Sequence, residues 1–337
     1  MKKIFVAILL LATINACNKA DVIEQTDSNA IAFNNPFIDY STKSIDPSWN
    51  MIYGDPNELK EFKVYGTVQK TVNPNGVTNI FPGVSVTKTA SGWAYSTATQ
   101  YWISGNTYNF AGVVAGNNAV SVNGNGLPSG IAYDVATQTD LLYDNEAVEY
   151  TSGAKTVEFT FQHILSKVKF TFANEYSIPG MVLKVTGVTI QNALDGVYAV
   201  EKDKWTPQTT SDILDFGNIL SDDTQNEAEY IAANTSLSSK YERLLVPAVY
   251  SGNTALNITY TAEVYIEQEE NGSKKYILVD KIEKTAAAPH IPEDAVTLEK
   301  GHSYNIIIKI GGALEKIQFD IKDCGGWTPQ TPENELK

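Results

Sequence analysis

The sequence predicts an all-β chain. Apolar residues alternate with polar ones at period two from about residue 30 to near the C-terminus. The alternating runs are punctuated by Gly, Asn and Pro, including an Asn271-Gly272 pair between two such runs, the signature of a tight hairpin. Apolar positions at helical spacing are almost absent. Strands with one dry face each suit packing as β-sandwiches.

The N-terminus reads as a leader, not as a strand. Met1-Lys2-Lys3 is basic, Ile4 to Thr13 is apolar but too short to span a bilayer, and Ala16 is the small residue that a signal peptidase requires. Ile14-Asn15-Ala16-Cys17 resembles a bacterial lipobox. Residues 1–16 are therefore expected to be removed between Ala16 and Cys17, leaving a diacylated (palmitate-type) Cys17 as an outer-membrane anchor. Residues 17–28 lack periodicity and read as a flexible tether.

Order is expected from Ala30-Ile31-Ala32-Phe33 onward. In the first strands Phe62, Val64 and Val68 face one way, and Lys63, Tyr65 and Thr67 the other. Val157, Phe159 and Phe161 alternate with Glu158, Thr160 and Gln162. The apolar parity then switches from odd to even at Val168, Phe170 and Phe172. A period-two strand cannot switch parity without a break or an inserted residue, which places one within His163-Ile164-Leu165-Ser166-Lys167. Further on, Ile258, Tyr260, Ala262 and Val264 define the strand before the Asn271-Gly272 turn. Tyr304, Ile306, Ile308 and Ile310 define a strand ended by Gly311-Gly312, and Ile317, Phe319 and Ile321 the next.

The 337-residue length exceeds what one core usually holds and predicts two domains, 29–152 and 153–337, divided where the pattern lapses near Ser152-Gly153. With Cys17 lipidated, Cys324 is the only remaining thiol, so a disulfide within the chain and a Cys-based metal site are both excluded. A net charge of −14, with Arg243 the only arginine, argues against nucleic acid as a partner.

Residues for catalysis are scarce. His163, His290 and His302 are widely separated, and His163 is expected to satisfy a backbone group at the strand break. No nucleophile elbow, phosphate-cradling loop or calcium loop is present; Gly124 to Gly130 reads as a turn, and Glu267 to Glu270 as the solvated flank of a hairpin. No enzyme, cofactor or metal is expected. Aromatic residues cluster between Trp93 and Phe110; burial is the favoured reading, with Trp93, Trp102 and Trp205 as candidate glycan contacts.

Four stretches together resemble the fimbrillin and fimbrillin-like (Mfa-like, type V pilus) lipoproteins of Bacteroidetes. They are Phe62-Lys63-Val64-Tyr65-Gly66-Thr67; Trp93-Ala94-Tyr95 with Tyr101-Trp102 and Tyr108-Asn109-Phe110; Phe159 to Val168; and Gly301-His302-Ser303-Tyr304 through Phe319 to Trp327. The resemblance implies two tandem transthyretin-like β-sandwich domains and a cell-surface fimbrium subunit, or an anchor or tip component, with a role in adhesion. It further implies assembly with other fimbrial subunits by donor-strand exchange, in which an N-terminal strand is cut away and a neighbour's strand replaces it. Ile31 and Phe33 would anchor the removable strand, and Lys43 would lie near the cut, because Arg243 is far from the N-terminus. The tail after Trp327 carries Pro329 and Pro332 and makes a poor donor, which favours a terminal role. The alternative is a glycan-binding outer-membrane lipoprotein, with a glycan or host ligand as partner.

Overall fold

The computed structural model describes residues 29–34, 36–38, 59–71, 76–192, 195–207, 212–220, 228–239, 242–250, 257–285, 296–311 and 318–326. Ala16, Cys17 and Lys43 lie outside them, as do His290 and the tail after Gly326. Among the described residues the structure is all-β, and its only helical elements are the single 3₁₀ turns Val135–Thr137 and Val200–Lys202.

Most of the N-terminal half forms one seven-stranded sheet. Its order is Phe37–Ile38, Thr160–His163, Leu142–Tyr150, Asn106–Val114, Glu61–Gln69, Val77–Thr89 and Gly92–Tyr95. All neighbours are antiparallel except the edge pair, where Phe37–Ile38 runs parallel to Thr160–His163. Two sheets make up most of the C-terminal half. In one, Ser166–Asn174 lies parallel to His302–Ile310, with Gln318–Gly326 beyond. In the other, Met181–Asn192 pairs with Asp212–Gly217 and with the long hairpin Asn257–Glu270/Ser273–Thr285.

The expected turn is present: Asn271 and Gly272 both have positive φ, 55° and 77°, as a two-residue loop between right-twisted strands requires. The alternations also hold, with Ile258, Tyr260, Ala262 and Val264 buried on one face and Tyr304, Ile306, Ile308 and Ile310 on another. Of the stretch Gly124 to Gly130, residues 124–127 form a turn, in which the Asn123 side chain accepts from the amides of Asn125 and Leu127, and Pro128 to Gly130 already belong to the strand Pro128–Tyr133.

Two buried clusters organise the packing. One contains Phe33, Phe62, Phe81, Phe110, Phe159 and Phe161; the other is centred on Phe170, Phe172, Phe216, Ile190 and Ile306. From Ile164 on, past the predicted parity break where Thr160–His163 ends and Ser166–Asn174 begins, every clustered residue belongs to the second core, which also takes in Tyr65, Ala111, Val113, Ile131, Tyr133 and Leu141 from earlier in the chain. Residues 156–161, expected beyond the division at 152/153, therefore pack into the first core. Strand pairing explains this: Thr160–His163 hydrogen-bonds to Leu142–Tyr150 and stays in the first sheet.

Two expectations are corrected. Tyr65 and Thr67 are buried rather than outward, because Glu61–Gln69 is a central strand, and Tyr65 on its second face packs into the other cluster with Ala111 and Val113. His163 does not cap the backbone at the break: its Nδ1 lies 2.8 Å from Asp140 Oδ2, and both side chains are fully buried.

The two halves are joined by directional bonds as well as by packing. Gln138, in left-handed conformation at φ 45°, accepts from the Leu244 amide at 2.8 Å and donates to the Leu244 carbonyl at 3.1 Å. The Tyr133 hydroxyl donates to that same carbonyl at 3.1 Å. A four-stranded sheet, Lys204–Pro207, Gly196–Ala199, Pro128–Tyr133 and Val120–Val122, also draws strands from both sides of the break.

Candidate functional site

The site is a groove filled by residues 29–34 and 36–38. The sequence dictates its shape. Phe62 and Phe81 come from adjacent strands, Phe110 from a third and Phe159 from the link between Thr156–Val157 and Thr160–His163, and the four rings turn toward one volume. Gly66 keeps that volume open, since a Cβ there would stand 2.9 Å from both the Phe81 and Phe110 rings.

Phe33 fills the volume. Its ring meets Phe62, Phe81, Tyr95 and Phe110 edge-on, at centroid distances of 6.3, 5.5, 5.9 and 6.2 Å, and stacks on Phe159 at 6.1 Å and 10°. These are the favoured aromatic arrangements. Ile31 and Ile38 are buried on either side of it. Burial of each of the three side chains contributes roughly 1.5–3 kcal/mol.

Backbone bonds hold the segment along both walls. Ile31 N donates to Gln100 O at 2.8 Å, and Trp102 N donates to Asn29 O at 2.9 Å. The Tyr95 hydroxyl donates to Ile31 O at 3.1 Å. Farther along, Ala32–Phe33 runs parallel to Thr156–Val157, and the amides of Asn34 and Phe37 donate to the carbonyls of Val157 and Phe159 at 3.0 and 2.9 Å. The segment is thus seated by apolar anchors and main-chain hydrogen bonds together, the chemistry of β-augmentation.

The receiving strand is itself fixed by a carboxylate. Asp144 Oδ2 accepts from the Thr160 amide at 2.6 Å, next to the point where Phe37 pairs with Thr160. Burial raises the Asp144 carboxyl above the ordinary carboxylate range and repulsion from Glu146 adds to this, against the lowering effect of the Thr160 and Asn145 amides.

Of the predicted site residues, Ile31 and Phe33 meet in this groove. Sequence reasoning missed Ile38; Pro36 interrupts the run, so Ile38 falls on the opposite parity from Ile31 and Phe33. Trp93, Trp102 and Trp205 are all buried and present no stacking surface to a sugar. Trp93 packs on Phe62, Trp102 donates to the Lys155 carbonyl, and Trp205 donates to the Ile164 carbonyl. Among the described residues no group of three or more His, Cys, Asp or Glu side chains is placed to hold a metal, and no helix is long and apolar enough to cross a membrane.

An all-β chain whose first core is completed by its own N-terminal segment is the class the fold and groove define. The fimbrillin-like family matches residues 54–323, and the chain belongs to that family of fimbrial proteins. Among solved structures, a fimbrial protein from Bacteroides vulgatus ATCC 8482 superposes with a TM-score of 0.61 at 14% identity, over 89% of this chain and all (100%) of that one. A candidate cell adhesion protein from Bacteroides ovatus ATCC 8483 gives 0.46 at 14% identity, over 90% and 99% of the two chains. Another, from Bacteroides uniformis ATCC 8492, gives 0.43 at 15% identity, over 89% and 98%. No curated protein matches the chain.

Proposed function

We propose that the chain is a non-enzymatic fimbrium subunit or accessory anchor or tip component of the cell surface, exported as a lipoprotein, held at the outer membrane through Cys17 and acting in adhesion. In this reading it joins other fimbrial subunits by strand complementation: residues 29–38 are a removable strand, cut free downstream near Lys43, and a neighbour's strand takes the groove. The carrying observation is the seat of Phe33, a residue from a two-residue strand at the centre of five aromatic rings. A segment with so little sheet of its own and so large an apolar anchor is suited to exchange. Family membership supports the fimbrial part of the reading.

We further read the chain as two β-sandwich units divided within 163–166, after which every clustered residue belongs to the second core, in place of 152/153. The prolines of the tail favour a terminal role over a bulk stalk subunit. Nothing in the surroundings of Trp93, Trp102 or Trp205 favours the glycan-binding alternative.

The test is an unheated denaturing gel of outer-membrane and shed-surface fractions, with N-terminal sequencing of each band. Material in a ladder beginning after about Lys43 is expected if strand exchange operates. A single monomeric band beginning at Cys17 in every fraction overturns the exchange step and leaves a lipid-held component.

A further inference from the structure

One end of the N-terminal half sets exposed apolar residues beside lysines. Four segments meet there. Asn29–Ile31 pairs with residues 100–102 through the Ala30–Tyr101 bridge; Gly105 N donates to Tyr150 O, and the Ser104 hydroxyl to Thr151 O; Thr71 N donates to the Asn106 side chain. The indole of Trp102 is pegged inward, stacked on Tyr150 at 5.2 Å with its Nε1 donating to Lys155 O at 2.9 Å. That peg turns its neighbours out: Tyr101 is 48% exposed and Ile103 57% exposed. Residues 29–31, 69–71, 100–106 and 151–156 contain no Asp or Glu, and their only charges are the exposed Lys70 and Lys155, with the exposed Glu149 and Glu158 flanking them, in a chain of net charge −14.

The position of this pole gives its chemistry a target. It is where the described chain begins, at Asn29, and the roughly dozen residues back to Cys17 reach at most about 40 Å when fully extended. If Cys17 carries a lipid, as proposed above, this end faces the bilayer at a high effective concentration, so even a weak contact is populated. A tyrosine and an isoleucine beside two lysines, without carboxylates in those four segments, suit a bilayer interface with anionic headgroups.

We propose that this pole is a membrane-docking surface, with Tyr101 and Ile103 set in the interfacial layer and Lys70 and Lys155 against anionic headgroups. Docking would hold the first domain, with its strand 29–38, down on the membrane. Cutting after residue 38 would release both tether and dock. The inference rests on the lipid-anchor reading, and its test supplies the tether chemically so that the two can fail separately.

The mature chain from Cys17, in a Cys324→Ser background, is coupled through Cys17 to a maleimide lipid in vesicles of phosphatidylcholine with phosphatidylglycerol. Acylation of each lysine by a soluble reagent is then read by mass spectrometry, on vesicles and free. Lys70 and Lys155 are expected to react about fivefold more slowly on vesicles, a protection of the size one lysine gains at an anionic surface. Lys274 and Lys275, on the exposed hairpin Ser273–Thr285, should be unchanged. Protection should be lost in Tyr101→Ser/Ile103→Ser, a pair exposed enough to leave folding intact. Equal reactivity of Lys70 and Lys155 in both states, or uniform protection of all four lysines, overturns the dock. The lipid-anchor reading is judged independently, from the mass of the N-terminal peptide isolated from cells.

Discussion

Phe33 lies parallel to Phe159, with ring centroids 6.1 Å apart and planes 10° apart, although the two residues come from opposite ends of the N-terminal half. The backbone repeats the relationship, since Asn34 N donates to Val157 O and Phe37 N to Phe159 O. A strand that pairs this briefly yet carries this anchor depends on its side chains for most of its hold.

Phe33→Ala should therefore cost about 3–5 kcal/mol of stability, the range for a buried phenylalanine reduced to alanine. Urea unfolding of the purified chain measures it. A loss below about 1 kcal/mol would mean that the first core closes without the anchor.

The Asp140–His163 pair is predicted to behave as a unit. His163→Leu leaves a carboxylate buried without its histidine and should destabilise by about 3–5 kcal/mol, while Asp140→Leu/His163→Leu should recover most of that loss. A double variant no more stable than the single one would contradict this account of the junction.

Gln138→Ala should cost about 1–3 kcal/mol, because it strands the buried Leu244 amide. Hydrogen exchange supplies a local readout. The Leu244 amide, on the strand Arg243–Leu245 beside Ser166–Asn174, should lose protection by more than that of Ile308, on the strand His302–Ile310 that also pairs with Ser166–Asn174.

Asp144 gives a pH prediction with a definite sign. Its carboxyl is raised in the folded chain, so its contribution to stability is full below the ordinary aspartate value and is lost as pH rises through the raised one. Asp144→Asn removes that dependence and keeps an acceptor for Thr160. Relative to the unaltered chain, the variant should gain stability between about pH 3.5 and pH 7, which bracket the ordinary value. A difference that is flat or opposite in sign across denaturant melts would sink the assignment.

Much of this fold was legible in the sequence because the alternation is strong where strands have one wet face. Ile258 to Val264, Tyr304 to Ile310 and the Asn271-Gly272 turn read directly. So did the break after His163, since parity is a local property. Pairing is not local. Nothing in Ala32-Phe33 says that it will lie parallel to Thr156-Val157, so the place of residues 156–161 in the first core could not be read. Tyr65 and Thr67 deceived for a related reason: alternation marks one face as apolar, but a central strand with cores on both sides buries its second face too. Asp140 gave no signal as the partner of His163, because a lone carboxylate beside Leu141-Leu142 looks like any surface residue until the chain is folded. For the groove, the two parity-matched anchors Ile31 and Phe33 were readable. Ile38 was not, because Pro36 resets the register.

The central claim is that residues 29–38 are a displaceable strand, and exchange after a cut tests it most directly. A protease site placed within residues 39–58 of the full chain is cleaved, and a fluorescent peptide of residues 29–38 is added alongside one carrying Ala at the Phe33 position. The account predicts that the cut chain stays folded, that the wild-type peptide replaces the resident segment as seen by fluorescence anisotropy, and that the Ala peptide fails to do so. A cut chain that unfolds outright, or that holds its own segment against any excess of peptide, would contradict it.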